Sequence, residues 1–309
     1  MEYVLETNAL CKYYRNFKAL DGLDMRVPKG SIYGFVGKNG AGKTTLIRVV
    51  TGLQHPTSGS YKLYGCEIGK NGSDKTEVIR TRQRIGAVVE SPSIYSDMTA
   101  YENIGMQYTV LGMPDESGIN ELLELVGLGN TGKKKAKHFS LGMRQRLGIA
   151  VALAGSPDLL ILDEPVNGLD PQGIIEMREL ILKLNREMGI TVIISSHILD
   201  ELSKLATHYG FIDGGRMVRE MSAKELEAAA KKRTLVRVDN IEAFARALEK
   251  IGSEYEIVSD REAYLYGEMN ASDIFEAARS EGCSILFMSE KDESLESFYL
   301  NLLGGAKNE

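Results

Sequence analysis

Asp163 and Glu164 stand side by side directly after Leu159-Leu160-Ile161-Leu162, a run without a polar member. Two carboxylates placed together can divide the hydrolysis of a phosphate ester, one holding a divalent cation and the other polarising a water. A second group supplies a seat for the phosphate. Gly37-Lys38-Asn39-Gly40-Ala41-Gly42-Lys43-Thr44 fits the pattern G-x-x-x-x-G-K-[ST], and Thr45 continues it. Its glycines let successive main-chain N–H groups face a phosphate, Lys43 would bridge β- and γ-phosphates, and the Thr44 hydroxyl would ligate Mg²⁺. A third group heads an apolar segment: Ser140 is a good helix N-cap and Gly142 leaves the helix start uncovered. A hydroxyl, main-chain N–H groups and a helix dipole there make an anion site with no anion of its own.

These groups need strands and helices to aim them. Leu159 to Leu162 reads as a buried parallel strand, and in open α/β sheets ligands bind at the carboxyl ends of strands, where Asp163 and Glu164 lie. Adjacent strand residues face opposite sides, so the two carboxylates can take different tasks. Pro165 stops the strand. Ser31 to Val36 reads as the strand before the phosphate loop and Thr45 to Val50 as the helix after it. Leu147 to Ala154 reads as the apolar helix behind Ser140. His197 closes Thr191 to Ser196, a β-branched run, and so also stands at a strand's carboxyl end. His55, His138 and His208 have no such placement.

Phe139-Ser140-Leu141-Gly142-Met143-Arg144-Gln145-Arg146 resembles the signature of ATP-binding cassette (ABC) proteins, LSGGQ-[KR]-Q-R, and the whole array resembles the ATP-binding subunit of ABC transporters. The resemblance implies an α/β P-loop NTPase cassette, a mixed sheet core with a helical subdomain at about 91–155, over residues 1–220. It implies ATP and Mg²⁺ as cofactors and Glu164, His197 and Lys43 as catalytic residues, with Mg²⁺ on Thr44, Asp163 and Glu90. Gly37 to Thr45 would hold the phosphates and Tyr14, chosen over Tyr13 by spacing, would stack on adenine. Ser140 and Gly142 would bind the γ-phosphate held by a second cassette, sandwiching two ATP molecules in a head-to-tail homodimer. Asn167-Gly168-Leu169-Asp170 looks like the loop along that seam, and His197 like the residue that senses the γ-phosphate.

Two departures mark a subfamily. Most members have glutamine where this chain has Glu90, and Leu141 and Met143 replace the usual glycine and glutamine of the signature. A carboxylate at that place adds negative charge beside a metal and a triphosphate. The combination resembles the ATPase subunits of bacitracin and lantibiotic export or immunity transporters. A soluble, non-transport ABC ATPase and a catalytically weak regulatory cassette are the other readings. Repair members carry a long coiled coil and translation members two cassettes, neither of which is here; a weak cassette would have lost Lys43, Asp163, Glu164 or His197.

Composition bounds the surroundings. The 309 residues suggest two domains, and a net charge of −6 argues against a general nucleic-acid binder. No apolar run reaches the ~18 to 20 residues of a membrane span, and Met1-Glu2-Tyr3 does not open a signal peptide. The expectation is a peripheral protein on the cytoplasmic face of the membrane, held there by an integral permease partner. Cys11, Cys66 and Cys283 lie far apart without metal spacing. From Met221 to Glu309 the chain carries 11 Lys and Arg against 18 Asp and Glu, the rest 26 against 25. That acidic tail is expected to be a C-terminal accessory domain, 221–309, of small α+β type, in which the pattern restarts after the helical stretch Ala223 to Ala230 and Lys231-Lys232-Arg233. Its pattern reads strand, helix, strand, strand, helix, strand and a last helix with Leu295, Phe298, Leu302 and Leu303 on one face. The order βαββαβ suggests a ferredoxin-like module, for dimerisation or regulation. The basic run Lys133-Lys134-Lys135 and Lys137 reads as a solvated face.

Overall fold

The computed structural model describes residues 2–69, 75–113, 115–229, 232–267, 269–292 and 295–305. The chain divides into two compact units, Met1–Ala223 and Lys224–Glu309.

In the first unit two long strands, β1 (Tyr3–Tyr14) and β2 (Phe17–Pro28), form a hairpin closed by the pair Tyr14 and Phe17. β3 (Ile32–Val36), α1 (Lys43–Val50), β4 (Ser58–Leu63), β5 (Cys66–Gly69), α2 (Lys75–Arg82) and β6 (Ile85–Val88) follow. Then come α3 (Ala100–Leu111), α4 (Ile119–Leu125) and α5 (Leu141–Leu153), the helical segment expected between Glu90 and the strand of Asp163. β7 (Leu159–Asp163), α6 (Pro171–Met188), β8 (Thr191–Ser196), α7 (Leu199–Ser203), β9 (His208–Asp213) and β10 (Arg216–Ser222) complete the run, and α8 (Ala223–Ala229) begins at the boundary and runs on into the second unit. One sheet is antiparallel, in the order β2-β1-β4-β5, and the other has the order β10-β9-β3-β8-β7-β6. The second is parallel from β9 to β6, with only β10 antiparallel.

α1 shares one core with both sheets. Leu46, Ile47 and Val50 of the helix pack with Leu5, Leu23 and Leu63 of the antiparallel sheet and with Tyr33, Ile161 and Ile193 of the parallel one, all but fully buried. Each such aliphatic side chain contributes about 1.5–3 kcal/mol on burial, so the helix that starts at the phosphate loop is held from two sides. Polar residues appear at the carboxyl ends of these strands. Phe35, Ser195 and Asp163 lie in one row across β3, β8 and β7.

Helix ends follow the local chemistry. Thr99 and Glu102 form a reciprocal capping box at the start of α3. The Ser140 hydroxyl accepts the Met143 N–H at 3.2 Å, so α5 begins six residues before the apolar segment Leu147 to Ala154. α1 likewise begins at Lys43 rather than Thr45. Lys43 and Thr44 therefore occupy its first turn, where main-chain N–H groups have no helical partner.

The second unit contains β11 (Lys232–Val238), α9 (Ile241–Lys250), β12 (Glu254–Ile257), β13 (Glu262–Tyr266), α10 (Ala271–Ser280), β14 (Ile285–Asp292) and α11 (Leu295–Gly305). Its sheet is antiparallel, in the order β12-β13-β11-β14. Val236, Val238, Ala263 and Leu265 of the strands enclose a core with Phe244 and Leu248 of α9 and Ile274 and Ala278 of α10. Leu295 and Phe298 of α11 are buried; Lys231 and the Leu303 side chain, both singled out in the sequence, lie outside the described residues.

Candidate functional site

Four neighbouring strands of the parallel sheet, β3, β8, β7 and β6, each deliver one group of residues from the carboxyl end. The phosphate loop follows β3, His197 follows β8, Asp163 and Glu164 end β7, and Glu90 lies just past β6. Their sequence separations are large, and the parallel order alone brings them together.

The phosphate loop has little freedom. Gly42 is left-handed at φ +112°, and a Cβ there would lie 2.5 Å from the Ala19 carbonyl oxygen of β2. Only glycine fits both constraints. β2 is itself pinned beside the loop, since Asp21 N–H donates to the Gly215 carbonyl at 2.9 Å and the Arg216 guanidinium grips the Asp21 carboxylate at 2.6 Å. That guanidinium holds the Asp21 carboxyl below its ordinary range.

Lys43 is 5% exposed. Its ammonium donates to the Gly37 carbonyl at 2.6 Å and the Lys38 carbonyl at 3.3 Å, and meets Glu164 Oε1 at 3.3 Å. The other oxygen of Glu164 lies 2.7 Å from His197 Nδ1. A single carboxylate thus bridges the lysine of the phosphate loop and the histidine of the next strand. Its backbone is held in the left-handed region, φ +52°, where the Glu164 N–H reaches the Ser195 carbonyl at 3.1 Å and the Ser195 hydroxyl at 3.0 Å. The same Ser195 hydroxyl donates to Asp163 Oδ1 at 2.5 Å. Asp163 Oδ2 is buried without a hydrogen-bond partner, in a residue only 2% exposed. A buried carboxylate oxygen left bare in this way is costly unless a cation takes it, so the donor set fits Mg²⁺.

Two cavities meet at Glu164. One, about 250 Å³, is bounded by Asn39, Gly40, Lys43, Thr44, Glu164 and His197. The other, about 530 Å³, is bounded by Thr44, Glu90, Gln145, Asp163 and Glu164, with Leu141 at the start of α5. Thr44, Glu164 and Asn167 border both. Ser140 and Gly142 line neither, and Ser140 is exposed to solvent.

The aromatic ring in the wall of the phosphate-loop cavity is that of Phe17. Tyr14 is across the hairpin end from it, with its hydroxyl directed to Gln54 Oε1. Tyr13 is engaged elsewhere: its phenol is pushed up to about 12 by a hydrogen bond with Cys11, burial and the nearby Asp21 carboxylate. Phe17 was findable from the sequence as the aromatic that answers Tyr14 across a short turn. Ser195 was findable too, as a hydroxyl residue interrupting an apolar strand beside His197.

A family model described as ABC transporter matches residues 20–167. Bacitracin transport ATP-binding protein BcrA of Bacillus licheniformis is 40% identical over 308 residues, 99% of this chain and 99% of that protein. Lantibiotic transport ATP-binding protein SrtF of Streptococcus pyogenes is 46% identical over 217 residues, 70% of this chain and 90% of that protein. Among solved structures, CbiO1 from Clostridium perfringens, part of the ABC transporter complex CbiONQ, is similar with a TM-score of 0.65 and 26% identity over 82% of this chain and 97% of that one. A nucleotide-free ATP-binding cassette from an ABC transporter is similar with a TM-score of 0.63 and 27% identity, over 73% of this chain and 93% of that one.

Proposed function

This chain belongs to the ABC transporter family, as an ATP-binding cassette, and from that premise we propose that it hydrolyses ATP to drive an integral membrane exporter of antimicrobial peptides such as bacitracin or lantibiotics. The observation that carries the ATPase reading is the bridge from Lys43 through Glu164 to His197. The main chain of Gly37 to Thr45 cradles the phosphates, and Lys43 neutralises the β- and γ-phosphates. Asp163 and Thr44 would hold Mg²⁺, which would supply charge neutralisation at the phosphates, with Glu90 at the edge of that group. Glu164 orients water in line with the γ-phosphate and takes its proton, and His197 keeps Glu164 and the γ-phosphate in register.

Adenine stacks at the hairpin end formed by Tyr14 and Phe17. A ring that stacks on a base is worth about 1–3 kcal/mol. Phe17→Ala is therefore expected to weaken ATP binding by roughly 5- to 150-fold, and Tyr14→Ala to weaken it as well. Titration of both variants with a fluorescent ATP analogue checks this; affinities equal to the parental value in both would remove the hairpin end from the base site.

Ser140 and Gly142 serve the ATP of a second copy in a head-to-tail dimer, consistent with their place outside both cavities of their own chain. Residues 1–220 form the cassette and 221–309 an accessory, ferredoxin-like domain used for dimerisation or regulation. No described helix is long and apolar enough to cross a membrane. The protein sits peripherally at the cytoplasmic face through its permease. Purification of the tagged chain from its native cells in mild detergent is expected to bring down a multi-span membrane protein. Recovery of soluble partners only would overturn the exporter reading.

A further inference from the structure

Glu90 is held from three directions. Its backbone is left-handed, φ +61°, directly past the end of β6. Two residues on, Pro92 presses on α5 so closely that a Cβ added to Gly148 would lie 2.6 Å from the Pro92 Cβ. The main chain is thereby fixed, and what remains free is the Glu90 side chain, 58% exposed. Arg48 Nη2 takes its carboxylate at 2.5 Å, the one ion pair of Glu90 among the described residues. Arg48 stands four residues after Thr44 on α1, so it shares the helix face that carries the Thr44 hydroxyl into the cavity bounded by Glu90, Asp163 and Glu164.

We propose that Arg48 is a positioning residue of this ATPase: its ion pair holds the Glu90 carboxylate at the edge of the metal and phosphate cavity and neutralises it there. The inference rests on the nucleotide reading of that cavity. A carboxylate added beside a triphosphate repels it, and an arginine one helical turn below the phosphate loop cancels that repulsion while leaving the carboxylate within reach of the cation. Glu90 and Arg48 thus act as one neutral unit where most cassettes carry a neutral glutamine. Loss of Arg48 strands a negative charge that a bound divalent cation then offsets, so nucleotide binding becomes more dependent on the cation.

The test is equilibrium binding of a fluorescent ATP analogue to the full chain, with Mg²⁺ and with a chelator. The pair is partly exposed, so the effect of breaking it is small. Arg48→Gln is expected to weaken binding about two- to fivefold in chelator and less with Mg²⁺, with the difference shrinking at high salt. Arg48→Lys keeps most of the parental behaviour. In the Glu90→Gln background, Arg48→Gln is expected to have no further effect, because the charge it compensates is gone. An equal loss with and without Mg²⁺, or a loss that persists in the Glu90→Gln background, overturns the proposal and leaves Arg48 acting on α1 alone. Failure of the parental chain to bind the analogue overturns the nucleotide reading itself and, with it, this role.

Discussion

Glu164→Gln is expected to lower ATP turnover by roughly 10²- to 10⁴-fold, the range a positioned general base contributes, while ATP stays bound. Glu164 lies at the end of β7, with one oxygen on Lys43 and the other on His197. Glutamine keeps the size and the two contacts' approximate reach but cannot accept a proton. It also removes the anion that pairs with Lys43, so phosphate no longer competes with a carboxylate for the ammonium. Binding is therefore expected to be at least as tight as in the parent. Phosphate release under single-turnover conditions, set beside a binding titration, checks both halves. Parental turnover in this variant would mean that another group takes the proton.

Lys43→Ala is expected to lose nucleotide affinity by about 2–5 kcal/mol, the loss typical when one member of a buried charge pair is cut away, which is roughly 30- to 4,000-fold. Two costs combine. The phosphates lose their cation, and the Glu164 carboxylate, left without its partner at 3.3 Å, points its charge at them. The second cost can be isolated. In Lys43→Ala/Glu164→Gln the stranded charge is gone, and part of the affinity should return. Isothermal titration with ATP separates the cases: unchanged binding in Lys43→Ala refutes the cradle, and a double variant as weak as the single removes the repulsion from the account.

The phosphate loop was legible because its glycines, lysine and threonine work within a few residues of each other, where sequence spacing is spatial spacing. Asp163 and Glu164 were legible because an apolar strand that ends in two carboxylates leaves few other readings beside such a loop. Boundaries were less so. α1 and α5 both start earlier than their apolar runs, since a glycine or serine cap, and not hydrophobicity, decides where a helix begins. What the sequence hid were contacts between distant segments. Arg48 and Glu90 are 42 residues apart, and nothing in either neighbourhood announces the other. Phe17 was within reach of the sequence as the aromatic across a short turn from Tyr14, but Tyr13 and Tyr14 point to β1, while the cavity wall is made by the first residue of β2. In the C-terminal unit the alternation of apolar residues was strong enough to show the succession of strands and helices, but the strand order is a property of the folded sheet.

The row Phe35, Ser195 and Asp163 has a mechanical meaning. Three strands are cross-tied at the level where the phosphate loop, His197 and the two carboxylates begin, and the Ser195 hydroxyl adds a strut to Asp163 and Glu164. Sliding the loop past the carboxylates would shear that row, so the sheet behaves as a fixed beam and its ends keep their spacing through every cycle. Displacement must then be taken up by parts outside the row, namely the segment after Pro92 with α3 and α4. In a hydrogen-exchange experiment the amides of the row should be the last of the first unit to open, and those of α3 and α4 among the first.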